Sequence, residues 1–345
     1  MSDYTPPVQD MLFVLRDVIG IDKLPQAQSG ELDDDMMSAI LDEAAKMASE
    51  MLAPLNVPGD EQGSILDNGT VKTPDGFKEA YAAYRDNGWN GVPFSPDYGG
   101  MGWRWALSFA VQEMWQGANM SFGLCPLLNQ AAVEATYLYG TDEQKDIYLA
   151  KLVSGEWTGT MNLTEPHAGS DLGLVKAKAE KQDDGTYKIF GQKIFITYGD
   201  HDMADNIIHM VLARTPDAPD GIKGISMFLV PKFMPDENGN PGERNDIDCI
   251  KLEEKLGIHA SPTCVMQYGD KGGATGYLIG NENEGIKYMF TMMNNARLAV
   301  GLQGVAIAER AYQHALTYSR DRAQGSRIDD KNSGPVPIIE HDDVR

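Results

Sequence analysis

The run Met161-Asn-Leu-Thr-Glu-Pro-His-Ala-Gly-Ser-Asp171, with Gly173 close behind, concentrates groups able to hold a polar ligand. The hydroxyls of Thr164 and Ser170 both donate and accept hydrogen bonds. Backbone N–H groups around Ala168, Gly169 and Ser170 suit an anion-binding nest. The same composition also suits an ordinary surface loop capped by Ser and Asp, and local chemistry leaves both readings open. A second candidate is Arg297, set in an apolar stripe with Asn294 one turn before it on a shared helix face. A charge facing a packed side costs several kcal/mol unless it is paired. Arg297 therefore meets either a nearby carboxylate or a ligand phosphate or carbonyl. Glu165 reads as a carboxylate that fixes its loop rather than as a base. His209 and His259 lack clustered ligands and read as structural, and no metal site is expected.

These groups must be positioned by three zones of different texture. Up to about Trp157 the pattern is helical. Met36 to Leu55 carries Met37, Ile40, Leu41, Ala44, Ala48, Met51 and Leu52 at helical period. Thr73-Pro74 predicts a capped helix start before Phe77, and Thr141 with Gln144 predicts a capping box for a segment reaching Leu152. Residues 93–102, rich in Pro and Gly, predict a loop. From Thr158 to about Leu278 short apolar runs alternate with turn dipeptides, Asp184-Gly185 and Asn238-Gly239 among them, which predicts a small sheet sandwich or barrel. After Gly285 a long helix is expected, its apolar stripe formed by Ile286, Met289, Phe290, Met293, Val300, Gly304, Ile307, Ala308, Ala311 and Ala315. The run Met289, Met292 and Met293 reads as core filler. Pro337 to Arg345 resembles the opening of a further helix. The fold class is α+β: an N-terminal helical domain (1–157), a middle β domain (158–279) and the first part of a C-terminal helical bundle (280–345). A single long helix cannot cover its own stripe, so the chain reads as C-terminally truncated or as obligately paired with another chain.

The 345 residues carry 29 Lys and Arg against 51 Asp and Glu, a net charge of −22. Such a surface argues against nucleic acid, whose binding needs Lys and Arg to displace counterions from phosphates. It argues equally against anionic membranes, while a locally basic pocket for a phosphate-bearing ligand remains compatible. The acidic runs Glu31 to Asp35 and Asp329-Asp330 read as solvated caps and loops. Cys125, Cys249 and Cys264 are too few and too scattered for a disulfide framework or a zinc site. The start Met1-Ser2-Asp3-Tyr4 has neither a basic nor an apolar leader region, and no apolar run reaches membrane-spanning length. A reducing cytoplasm is the expected setting.

Thr164-Glu-Pro-His-Ala-Gly-Ser-Asp171 resembles the signature of the acyl-CoA dehydrogenase family. Gly191-Gln-Lys-Ile-Phe-Ile-Thr197, Glu254-Lys-Leu-Gly-Ile-His-Ala-Ser-Pro-Thr263, Arg297 and Arg322-Ala-Gln-Gly325 follow in the family's order. The opening residues Tyr4 to Met11 and the stretch Tyr198-Gly-Asp-His201 are similar to the branch that includes the 3-methylmercaptopropionyl-CoA dehydrogenases. The resemblance implies an FAD-dependent enzyme of fatty acid metabolism that desaturates an acyl-CoA thioester, with hydride transfer to flavin N5. It implies that Met161, Leu163 and Thr164 line the flavin ring, partly through backbone groups, with Phe195, Ile196 and Thr197 on its other side. Ser170 is expected near the FAD pyrophosphate and the acyl-CoA. Asn294 and Arg297 are expected to bind substrate, Arg322 and Gln324 to reach the cofactor of a neighbouring subunit, and His341 to contact the cofactor. Phe195 stands where many relatives have Trp, the Arg322 segment is one residue shorter than the usual pattern, and Asp342 replaces a neutral neighbour.

The resemblance further implies an electron-transfer flavoprotein as acceptor and a homodimer or homotetramer at full length. The reaction needs a desolvated carboxylate base. In the family this base usually lies in the last helical third, beyond Arg345; the alternative position on the long helix holds Asn294 and Asn295, which cannot accept a proton usefully. The family's late Gly-Gly cofactor motif is also missing. The chain is therefore expected to be catalytically incomplete. An acyl-CoA oxidase or flavin monooxygenase on the same fold, and a non-catalytic acyl-CoA-binding module, are the alternatives.

Overall fold

The computed structural model describes residues 4–24 and 32–345. Met1 to Asp3 of the chain start and Glu31 of the acidic run lie outside the described residues. The N-terminal part is built from α1 (Val8–Phe13), α2 (Asp34–Met47), α3 (Ala53–Gln62), α4 (Phe77–Asp86), α5 (Trp105–Ala118), α6 (Met120–Tyr139), α7 (Asp142–Gln144) and α8 (Ala150–Ser154). A small hairpin, β1 (Ile65–Asp67) with β2 (Thr70–Lys72), interrupts them.

Local chemistry explains most of these boundaries. Asp33 caps α2 by accepting from the Met36 N–H at 2.7 Å, a contact worth about 1 kcal/mol. A π-helical stretch, Ala48–Leu52, carries α2 into α3, so the helical run is longer than its periodicity suggested. Met37, Leu41, Ala44, Ala48 and Leu52 are buried, whereas Met51 is exposed. The capping box at Thr141 and Gln144 is present. Thr73 does not cap α4, contrary to the sequence expectation. Its hydroxyl donates to Asp202 at 2.8 Å, and α4 starts instead from Gly76, whose φ of 84° only glycine adopts readily.

Ten strands follow: β3 (Trp157–Asn162), β4 (Lys178–Lys181), β5 (Tyr187–Thr197), β6 (Asn206–Ala213), β7 (Ser226–Pro231), β8 (Phe233–Pro235), β9 (Pro241–Arg244), β10 (Ile247–Leu252), β11 (Thr263–Tyr268) and β12 (Ala274–Ile279). Eight of them form one sheet in the order β10-β11-β5-β12-β7-β6-β3, with β4 also paired to β5. Tyr187 to Gly191 and Lys193 to Thr197 belong to a single strand, β5. Its first half pairs with β4 and β12 and its second half with β11. It thus joins the two ends of the sheet, which is one open path and not the closed barrel that the turn spacing allowed. β3 pairs with β6 in parallel, and β6 and β7 are buried along their whole length. Such continuous burial fits strands covered on both faces, and α6 supplies one cover by packing on β3.

The long helix α9 (Gly285–Asp321) packs on α5 and α6. Its buried face is Tyr288, Met289, Met292, Asn295, Ala299, Gln303 and Ala306. This corrects the predicted stripe: Phe290, Val300 and Ile307 are exposed, and so is Arg297. The start of the stripe holds, with Met289 buried and Ile286 and Met293 packed on the core, but apolar residues occur on two faces of α9 and beyond Met293 the buried face is the other one. Arg297 therefore has no buried charge to compensate. Its guanidinium lies over the Phe290 ring at 5.3 Å and donates to Asn294 Oδ1 at 3.3 Å. The expected helix opening after Pro337 is only a 3₁₀ turn, Ile338–Glu340, because Pro337 is bridged to Ala323. No described helix is long and apolar enough to cross a membrane.

Candidate functional site

The segment leaving β3 is fastened to β5 at three successive residues. The Ile194 N–H donates to the Thr164 carbonyl at 2.9 Å, and Lys193 Nζ donates to the Leu163 carbonyl at 3.0 Å. Lys193 also pairs with Glu165 at 2.8 Å, with side-chain exposures of 0% and 3%. Glu165 accepts in addition from the Lys176 N–H at 2.8 Å and the Ala177 N–H at 3.0 Å. It does fix its loop, closing it onto the start of β4. Burial pushes the Glu165 carboxyl up, but the Lys193 charge and these hydrogen bonds outweigh it and hold the group below the usual carboxylate range. Burial lowers the Lys193 ammonium to about 8 against the pull of Glu165. Further along, Arg214 donates to the Val175 and Gly173 carbonyls, both at 2.7 Å. The loop that reads as a polar surface excursion is thus held almost continuously.

Phe195 is placed by a different device. Between the pairs Ile196–Cys264 and Lys193–Met266 the register shifts, so Ile194 and Phe195 face a single residue, Val265. A bulge of this kind re-aims the side chain it carries. Phe195 sits at φ 59°, left-handed and costly for an aromatic residue, and is 59% exposed. Thr197 is half-buried. Ile196 does not present its side chain: it is 2% exposed and belongs to the core, so any ligand contact there is through backbone.

Met161, Leu163 and Thr164 are half-buried, and Ser170 is exposed. Among the described residues, no side chain or backbone group engages the hydroxyls of Thr164, Ser170 or Thr197. Behind this surface, Asn162 donates to Thr160 and accepts from Tyr268, and Thr160 meets His209 Nδ1, each at 2.8 Å. His209 is a structural strand histidine, as expected, although its Nε2 has no partner among the described residues. His259 is held by Asp60 and the Lys255 carbonyl.

Met161 packs with Leu127, Leu128, Ala296 and Ala299 in a small apolar cluster, which brings the β3 end to α9 beside Arg297 and Asn294. Arg322, Gln324 and His341 do not join them. Arg322 donates to Gln324 at 3.1 Å, and His341 contacts the Gln324 carbonyl at 2.8 Å. At 1.5 Å per residue this group lies about 36 Å along α9 from Arg297. One carboxyl near the cluster escaped sequence reading: Glu134 of α6 accepts from Asn295 at 3.1 Å and lines a cavity of about 190 Å³ with Phe94, Tyr98, Trp105 and Tyr137. Its signal was a single charged residue on α6, whose other side chains are all uncharged. Burial holds this carboxyl above its usual range.

Sequence models of the acyl-CoA dehydrogenase N-terminal, middle and C-terminal domains match residues 35–156, 160–270 and 283–334. The short-chain-specific acyl-CoA dehydrogenase of Megasphaera elsdenii is 33% identical over 295 residues, which are 84% of this chain and 70% of the relative. The chain belongs to the acyl-CoA dehydrogenase family. The 3-methylmercaptopropionyl-CoA dehydrogenase of Ruegeria pomeroyi is 50% identical over 99% of the chain. The chain spans 58% of that relative's length. Among solved structures, butyryl-CoA dehydrogenase from Megasphaera elsdenii superposes with a TM-score of 0.73 at 26% identity, covering 91% of this chain and 74% of that one. The α+β architecture of this acyl-CoA dehydrogenase family member is therefore the family's own.

The site fits the flavin that this family implies. The Phe195 bulge holds an aromatic ring outward, and the two segments joined by the Ile194–Thr164 hydrogen bond carry the Thr164 and Thr197 hydroxyls, unengaged among the described residues. A flat ring with apolar faces and a hydrogen-bonding rim needs both.

Proposed function

We propose that the chain forms the cofactor- and substrate-binding part of an FAD-dependent acyl-CoA dehydrogenase. The observation that carries this reading is the outward Phe195 on its bulge, one hydrogen bond away from the clamped Leu163–Thr164 segment. Met161, Leu163, Thr164, Phe195 and Thr197 hold the isoalloxazine, and Ile196 contributes backbone. Ser170 lies toward the pyrophosphate. Bound FAD supplies the acceptor for the β-hydrogen, taken as hydride at N5.

The chain's own residues bind, orient and keep the site dry. Arg297, exposed and steadied by Phe290, offers a charged donor to a phosphate or carbonyl of acyl-CoA, and Asn294 shares its face. Met161, Leu127, Leu128, Ala296 and Ala299 exclude water beside the thioester, which strengthens each hydrogen bond made there. On α9 near Arg297 the side chains are Asn294 and Asn295, so the proton is taken by a carboxylate elsewhere in the protein. Glu284 is unsuited. Hydrogen bonds from Tyr288 and Lys287 hold its carboxyl below the usual range.

The similarity to the Ruegeria pomeroyi protein favours a short thioether acyl-CoA such as 3-methylmercaptopropionyl-CoA. An electron-transfer flavoprotein as acceptor, a homo-oligomer in which Arg322 and Gln324 reach a neighbour's cofactor, a cofactor contact from His341, and a cytoplasmic setting complete the proposal. The test is to purify the protein at its natural full length, identify the extracted flavin, and follow dye reduction with 3-methylmercaptopropionyl-CoA and straight-chain acyl-CoAs. Yellow protein carrying FAD with acyl-CoA-dependent dye reduction is expected. Folded protein without flavin affinity overturns the reading.

A further inference from the structure

The buried ion pair between Lys193 and Glu165 has a consequence beyond holding the loop. Lys193 divides its ammonium between the carboxylate at 2.8 Å and the Leu163 carbonyl at 3.0 Å. That carbonyl belongs to the same amide as the Thr164 N–H. A cation on the oxygen of an amide draws electron density toward it and makes the N–H a stronger donor, and hydrogen bonds in such a chain reinforce one another by roughly 10–30%. The next amide is fixed too, its Thr164 carbonyl accepting from Ile194 at 2.9 Å. Among the described residues the Thr164 N–H has no backbone partner, although both carbonyls flanking it are engaged. A half-buried donor of this kind, backed by a fully buried cation, is an arrangement a merely loop-fixing pair would not require. Glu165 alone, with its two backbone N–H donors, already closes the loop.

We propose that Lys193 is a positioning residue that acts through the Leu163–Thr164 amide, presenting the Thr164 N–H as a charge-reinforced hydrogen-bond donor to the flavin. It rests on the flavin-binding reading above. A donor of this type favours whichever redox state places more negative charge on the acceptor, which for a flavin is the reduced one. The pair thus raises the flavin's reduction potential while remaining neutral overall, since Glu165 balances the ammonium.

The experiment uses the full-length, FAD-loaded protein and two neutral replacements of the pair, Lys193→Met/Glu165→Gln and Lys193→Gln/Glu165→Gln. The first removes the donor to Leu163, and the second keeps a hydrogen bond without its charge. As a control, Lys232→Met/Asp200→Asn removes another buried pair, joined at 2.5 Å, that does not touch this amide. Spectroelectrochemical titration reads the ratio of reduced to oxidised flavin binding. The Met/Gln variant is expected to lower that ratio about tenfold, about 30 mV for a two-electron couple. The Gln/Gln variant should fall between it and the parent, and the control should match the parent. An unchanged potential in a Lys193 variant that retains FAD overturns the inference. So does an equal shift in the control, which would mark a general loosening. Should the variants fail to fold, amide exchange in the unmodified protein decides: exchange of the peptide containing Thr164 must slow when FAD is added to apoprotein, and unaltered exchange overturns the proposal. A parent protein that takes up no FAD at all condemns the flavin-binding reading instead.

Discussion

Asn295 on α9 donates to Glu134 on α6 across 3.1 Å, tying the helix that carries Arg297 to a carboxyl at the rim of an aromatic cavity. Burial raises the proton affinity of Glu134, and the Asn295 donor only partly offsets this. The folded protein therefore keeps this proton to higher pH than the unfolded chain. Stability falls as pH rises from the unfolded carboxyl value of about 4.5 toward the folded one. Glu134→Gln should raise the melting temperature at pH 7 and leave it unchanged near pH 4. Equal effects at both pH values would remove the buried carboxyl from the account.

Lys193→Ala leaves Glu165 buried without its cation. Breaking a buried pair this way costs about 3–5 kcal/mol, so denaturant unfolding should show a loss of that size. Lys193→Met/Glu165→Gln should recover most of it, because no unpaired charge remains.

The same pair sets an acid limb. The Glu165 carboxyl is held below its unfolded value, so its contribution is fully present above about pH 4.5 and is lost as pH falls through the folded value. Glu165→Gln should be less stable than the parent at pH 7 and should flatten the decline below pH 4.5. Parallel stability curves for the two proteins across this window would contradict that assignment.

Phe195 pays a conformational cost at φ 59° with more than half of its surface open to solvent. Phe195→Gly should relieve roughly 1 kcal/mol of left-handed strain, leaving apoprotein stability equal to or above the parent's in urea. Flavin titration should show weakened FAD binding in the same variant. Loss of stability with unchanged FAD affinity would make Phe195 a packing residue.

Arg297 is exposed, so Arg297→Ala should change unfolding free energy by no more than about 0.5 kcal/mol. If it meets acyl-CoA, one charge-assisted hydrogen bond is worth roughly 1.5–3 kcal/mol, about a ten- to hundredfold loss of affinity. Calorimetric titration with acyl-CoA measures this, with FAD retention as the internal control. Unchanged acyl-CoA affinity would leave Arg297 a surface residue stacked on Phe290.

The sequence by itself determined the family, the order of helical and strand zones, the capping box at Thr141 and the hairpin turns at Gly185 and Gly239. Each is written in local spacing or in a residue type with one favoured conformation. The role of Glu165 was also legible, because a carboxylate inside a Gly- and Pro-containing loop has few other uses. Tertiary structure decided which face of α9 is buried. Apolar residues line more than one side of that helix, and only the positions of α5 and α6 choose between Ala299 and Val300. It also decided that Ile196 turns inward while Phe195 turns out, because a bulge against Val265 is a property of two strands and not of either alone. The burial of Lys193 came from the same source. A lysine between glutamine and isoleucine reads as a solvent-facing strand residue until Glu165 and the Leu163 carbonyl, distant in sequence, close around it and supply the partners that make burial tolerable.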